Sequence, residues 1–134
     1  MSQQAAPQGY LTGLFVNPAA GRRTDFDAAC GALFASLALR DGADAALAMP
    51  DIATLGLLVI DLDHFDPELD HDGLARLVAA RAGAPTFVLC PFANARWLPA
   101  LMACGPVEYA ITPLDDDAVR AAIRTRLAAA PTVP

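Results

Sequence analysis

Three short stretches constrain this chain more than anything else in it. Leu11 to Val16 (LTGLFV), Leu57 to Leu62 (LLVIDL) and Pro85 to Cys90 (PTFVLC) are each almost wholly apolar over six residues. A strand with one wet face alternates apolar and polar side chains; a strand that does not alternate has to bury both faces. Runs of this kind, separated by helical patterns, predict a parallel sheet covered on both sides by helices. Val107 to Ile111 supplies a fourth strand and Ala45 to Met49 a weaker candidate for a fifth. The expected fold is therefore α/β, a doubly wound five-stranded parallel sheet.

The intervening segments read as follows. Pro18 to Arg23 is turn chemistry. Thr24 opens a helix with a capping-box-like partner in Asp27. Phe26, Cys30, Leu33 and Leu37 form its buried stripe, and Asp41-Gly42 stops it. Pro50 to Gly56 is too short and broken for a three-turn helix, so the second helix is expected to be shortened or missing. The long acidic loop DLDHFDPELDHDG leads to a helix marked by Leu74, Leu77 and Val78, closed by Ala82-Gly83. Arg96 to Cys104 is a short helix with Pro99 near its first turn. Asp115, Asp116 and Asp117 start the last helix, with Arg120, Arg124 and Arg126 further along, the order that the helix macrodipole favours. Its buried stripe is Val119, Ile123 and Leu127. Residues 1–10 are expected to be a flexible N-terminus, 11–130 the domain, and 131–134 the start of a linker.

Composition then removes whole classes of chemistry. The 134 residues include nine basic side chains, and all nine are arginine. Without lysine there is neither a Walker phosphate loop nor a Schiff-base enzyme. The net charge of −6 argues against nucleic acid, whose affinity comes mainly from neutralised phosphates. No run is long enough to span a membrane, and MSQQAAPQGY has neither the basic nor the apolar region of a signal peptide. These features point to the bacterial cytoplasm. Cys30, Cys90 and Cys104 form no C-x-x-C pair and read as small buried hydrophobes rather than a zinc or redox motif.

In open parallel sheets the ligand site lies beyond the carboxyl ends of the strands. Those ends are Asn17-Pro18, Asp61 to Asp63, Cys90-Pro91 and Thr112-Pro113. In this order they resemble the receiver (CheY-like) domain of bacterial response regulators, over about residues 11 to 130. VIDLD matches the end of the third strand, VLC-P the fourth, and EYAITP followed by LDDDAVRAAIRTRL the fifth strand and final helix. The resemblance implies a flavodoxin-like, receiver topology. It also assigns roles: Asp61 (or Asp63) stands at the phosphoacceptor position, Cys90 at that of a hydroxyl residue, and Thr112 at that of a lysine. Pro113 falls on a cis-proline and Tyr109 on an aromatic switch.

Measured against that pattern, the pocket is degenerate. Asn17 and Pro18 stand where an acidic pair would hold Mg²⁺, and neither carries negative charge for a hard cation. Thr112 cannot supply the lysine's charge. Phosphoryl transfer to a carboxylate depends on both the ion and the cation. The pocket is therefore expected to contain neither a cationic side chain nor a pair of carboxylates for magnesium. The sequence reads as a non-catalytic pseudo-receiver with no cofactor, acting through a protein partner, a homodimer or an output domain in cis, possible outputs including cyclic-di-GMP turnover. The alternative is a phosphorelay receiver using Asp61 or Asp63 with atypical metal ligands, for which Asp61, Asp63 and Asp66 are the candidates. Tyr109, with no phosphate to pull it, is expected to keep one rotamer.

Other constellations are weaker. The acidic loop fails the EF-hand pattern, since its twelfth position would be Ala79, and His64 and His71 lack zinc partners at the right spacing. It reads as a solvated acidic loop. Cys90 as a nucleophile would need a base that the sequence does not place beside it. Phe92, Trp97, Leu101, Val119 and Ile123 are the interface candidates, on the short fourth helix and the last one. An enzyme of flavodoxin-like architecture would need a phosphate-binding loop, which Pro18 to Gly21 does not provide.

Overall fold

The computed structural model describes residues 11–129. Five parallel strands form one sheet: β1 (Thr12–Val16), β2 (Ser36–Arg40), β3 (Leu57–Asp61), β4 (Thr86–Pro91) and β5 (Glu108–Thr112), in the order β2-β1-β3-β4-β5. The helices are α1 (Ala20–Cys30), α2 (Ala43–Leu47), α3 (Pro67–Ala80), α4 (Leu98–Met102) and α5 (Asp116–Ala129). This is the doubly wound α/β sheet with a shortened second helix that the apolar runs predict. The expected termini at 1–10 and 131–134 lie outside the described residues.

The non-alternating runs explain the layers. Every residue of β3 is buried, and its side chains go alternately to two cores. Leu58 and Ile60 join Val16, Val88, Leu74, Leu77 and Leu101 on the α3/α4 face. Leu57 and Val59 join Phe15, Phe87, Phe26, Ile123 and Leu127 on the α1/α5 face. Backbone contact between sheet and loop is equally tight at Gly13. A Cβ there would lie 2.5 Å from the Phe34 ring, so only glycine lets that ring lie on β1.

Four local expectations are corrected. First, α1 begins at Ala20, not Thr24, and its N-cap has no side-chain bond. The turn is made upstream by Asn17, whose Oδ1 accepts from Ala19 N at 2.8 Å. Second, α1 ends at Cys30 and a 3₁₀ turn, Gly31–Leu33, follows. Leu37 is therefore not helical but sits in β2, pairing with Gly13. The spacing Cys30-Leu33-Leu37 imitates helical periodicity, whereas the alternation Leu37-Ala38-Leu39 is what places these side chains on opposite faces of the sheet.

Third, Ala45–Met49 is not a strand, because its first three residues end α2. Fourth, only the start of the acidic segment is a loop. Pro67 begins α3, and Asp66 caps it by accepting from Glu68 N at 2.8 Å. Glu68 and Asp70 thus lie in a first helical turn, where negative charge complements the positive end of the macrodipole.

The truncated second crossover is closed from the far side by Arg81. This arginine is 1% exposed. It donates to the Ile52 and Leu55 carbonyls at 2.8 Å each and to Pro85 O at 2.5 Å. The irregular stretch after α2 would otherwise bury carbonyls without partners. Burial pushes the Arg81 pKa down to about 10, which still leaves it charged at neutral pH.

Candidate functional site

The carboxyl ends of β1, β3, β4 and β5 converge as the sequence reading requires, with Asp61 as the last residue of β3. Its side chain is fully buried. One carboxylate oxygen, Oδ1, accepts from Asp63 N at 3.0 Å. The other, Oδ2, accepts from Arg22 Nε at 3.0 Å and also from the terminal Nη2 of the same guanidinium. Burial raises the Asp61 pKa above its ordinary value, opposed by the Arg22 bonds and the Asp63 N–H.

Arg22 corrects the expectation of a pocket without a cation. It lies in the first turn of α1, and because α1 starts four residues earlier than Thr24, that turn stands over the end of β3. The only signal in the sequence was an arginine pair, Arg22-Arg23, shortly after β1. That pair lies in a stretch, Pro18 to Arg23, whose sequence reads as turn chemistry. The second arginine of the pair also points back, Nη1 donating to Asn17 O at 2.8 Å.

Asn17 is fully buried and entirely engaged with backbone. Its Nδ2 donates to Asp61 O at 2.9 Å and to Asp63 O at 2.7 Å, while its Oδ1 holds Ala19 N. It thus ties the β1 loop to the β3 loop. Pro18 beside it is exposed. Together these residues do not fit a Mg²⁺ ion. The asparagine turns its amide N–H groups on the two carbonyls, and the nearest carboxylate already has a guanidinium. Asp66, the third candidate ligand, is occupied as the α3 cap, and among the described residues no three His, Cys, Asp or Glu side chains converge.

Further along the sheet, Cys90 is buried, and burial raises its pKa, the opposite of what a nucleophile needs. Thr112 and Pro113, joined by a cis peptide bond, line a small cleft of about 190 Å³ with Arg22, Asp63, Leu89, Pro91 and Val119. Asp61, fully buried, does not line that cleft and is linked to it through Arg22. Tyr109 is 48% exposed and directed away from the pocket's carboxylate, on the same side of the sheet as its β4 partner Val88.

The interface candidates divide. Trp97, Leu101 and Ile123 are at most 5% exposed and belong to the two cores, so they are corrected from contact residues to packing residues. An amphipathic stripe in a covered sheet faces the sheet, which is why the helical pattern alone misassigned them. Val119 is partly buried beside the cleft, and Phe92 is 80% exposed. Exposed apolar side chains instead cluster on and around β5: Tyr109, Ile111 and Leu114.

No family model matches the chain, and no curated protein matches it. Solved structures do. Full-length FixJ from B. japonicum superposes with a TM-score of 0.68 at 22% identity, covering 90% of this chain and 59% of that one. A response regulator CheY-like protein from Mesorhizobium loti gives 0.65 at 16%, covering 87% and 98%. A response regulator from Colwellia psychrerythraea gives 0.69 at 10%, covering 88% and 97%. The chain thus spans little more than half of the full-length FixJ. At these identities the likeness establishes the fold, the five-stranded flavodoxin-like receiver fold.

Proposed function

We propose that this is a pseudo-receiver, a non-catalytic receiver-fold module of bacterial signal transduction that works by protein contact in the cytoplasm. It would act on an output domain in cis or by pairing with a second protein, cyclic-di-GMP synthesis or hydrolysis being one candidate output. The single observation that carries this reading is the Arg22–Asp61 pair. A fully buried carboxylate, with one oxygen held by a guanidinium and the other accepting a backbone N–H, is not presented to an incoming phosphoryl group. Asn17, Pro18 and Thr112 provide neither the carboxylates nor the lysine that would stabilise charge in the transferring group. The contact surface follows from exposure rather than helix pattern: Phe92 with Tyr109, Ile111 and Leu114 along β5.

The alternative, a receiver phosphorylated on Asp61 or Asp63, has in its favour that Asp61 ends β3 and that Asp63 lines the cleft. Incubation with acetyl phosphate and Mg²⁺, followed by intact mass spectrometry, separates the two. The unmodified mass is expected throughout. A phosphoryl adduct on the wild type that disappears in Asp61→Asn would replace the pseudo-receiver reading with the phosphorelay one.

A further inference from the structure

The start of α2 and the first turns of α3 enclose a groove of about 510 Å³. Phe65 and Leu74, both buried, give it an apolar base, and Leu69 lines it with 81% of its own surface in water. That leucine lies outside the α3 stripe that packs on the sheet, Leu74, Leu77 and Val78. A Cβ on Gly73 would lie 3.1 Å from that of Ala43, so the two helices meet closely here and the groove is preformed.

Four carboxylates line this groove, those of Asp41, Asp44, Asp70 and Asp72, against the single guanidinium of Arg76. Arg76 approaches Asp44 at 3.9 Å and leaves the other three. Asp72 has only the His71 ring, at 3.6 Å, and Asp41 is in no ion pair among the described residues. The excess extends beyond the groove. From Asp41 to Asp72 the chain carries nine of its fifteen acids and none of its nine arginines. Of these acids, Asp61 is held by Arg22 and Asp44 lies near Arg76. An exposed leucine in a preformed groove with a net negative rim suits a segment that presents an apolar side chain among positive ones.

We infer that the groove between α2 and α3 docks a short basic amphipathic segment of a partner protein. An apolar side chain of that segment packs on Leu69 over the base of Phe65 and Leu74, and its lysines or arginines face Asp41, Asp70 and Asp72. This rests on the reading of the domain as a contact module. A chain that took no phosphoryl group and bound no basic segment here would lose this inference and keep that reading, so the two failures are distinguishable.

The full chain is titrated at low salt into a fluorescein-labelled lysine–leucine amphipathic peptide and, separately, into its glutamate–leucine counterpart, with anisotropy as the readout. Saturable one-to-one binding is expected with the first and none with the second. Leu69→Ser should weaken binding about tenfold, the scale of burying one leucine. Asp41→Asn and Asp72→Asn should each weaken it about threefold, the scale of a rim charge. These three side chains are exposed, and an unchanged melting curve confirms that each variant folds. Asp116→Asn removes the same charge from the first turn of α5, whose Ile123 and Leu127 pack on the opposite face of the sheet, and should bind as wild type does. An equal loss in Asp116→Asn would mean attraction to the chain's net charge and not to the groove. That result, an unmoved anisotropy, equal binding of the acidic peptide, or full binding by Leu69→Ser would each overturn the inference. So would self-association in sedimentation velocity that Leu69→Ser abolishes, which would make a second copy the occupant.

Discussion

At the scale of single residues, the molecule turns on how a buried carboxylate is tolerated. Removing one member of a buried ion pair leaves the other uncompensated, which costs 3–5 kcal/mol when both are fully buried. Arg22 is 40% exposed and Asp61 fully buried, so the lower end applies. Arg22→Ala is expected to lose about 3 kcal/mol, but under about 1 kcal/mol when made in an Asp61→Asn background. Chemical denaturation of the four proteins in this cycle gives the coupling directly; equal losses in both backgrounds would dismiss the pair. The pH dependence has a definite sign. The folded pKa of Asp61 is raised above the ordinary 3.8, so the folded state holds the proton more tightly than the unfolded one. Its stabilising contribution is complete below pH 3.8 and is lost as pH rises through the folded value. Wild type should therefore lose stability relative to Asp61→Asn across that window, and Arg22→Ala should extend the window upward.

At the scale of elements, the shortened second crossover is the feature that most needs support. Five residues of α2 do not cover the sheet as a three-turn helix does, and Leu55, with Met49 and Ile52 packed against the same core, completes the covering with help from Arg81. Arg81 collects three carbonyls from two loops. Arg81→Met keeps most of the apolar stem but leaves these carbonyls unsatisfied, at about 1–3 kcal/mol for each that water cannot reach. A loss of about 3 kcal/mol is expected, with faster amide exchange confined first to residues 50–56. Exchange that rises uniformly instead would mean that Arg81 is not a local staple. Legibility at this scale was uneven. α3 and α5 were readable from Leu74, Leu77, Val78 and from Ile123, Leu127, because long helices repeat their pattern. The segment from Cys30 to Met49 was not, because Leu33 and Leu37 fit a helix as well as a strand when only spacing is considered.

At the scale of the whole molecule, coverage of the sheet decides where other proteins can touch it. α4 is only five residues long, and β5 is an edge strand whose Tyr109 and Ile111 remain 48% and 38% exposed. Among the described residues, no helix is long and apolar enough to cross a membrane. Because these two side chains contribute to a surface and not to either core, the double variant Tyr109→Ser with Ile111→Ser should keep the wild-type melting temperature. It should also reduce any self-association or capture of an output domain, read by sedimentation velocity. A lowered melting temperature with unchanged association would assign the pair to packing instead.

The apolar runs at Leu11, Leu57 and Pro85 determined the architecture by themselves, because a strand with no polar side can exist only inside two helical layers. Parallel topology likewise brings the strand ends carrying Asn17, Asp61 and Thr112 to one rim, whereas the Cys90 side chain turns into the α3/α4 core. What only tertiary structure decided is the state of that rim. A long flexible side chain such as Arg22 can reach several places, and which one it occupies depends on where α1 begins and how it is tilted. An amphipathic stripe likewise records that a helix is covered, but not by what; Trp97, Leu101 and Ile123 became core because the sheet of this same chain reached them first.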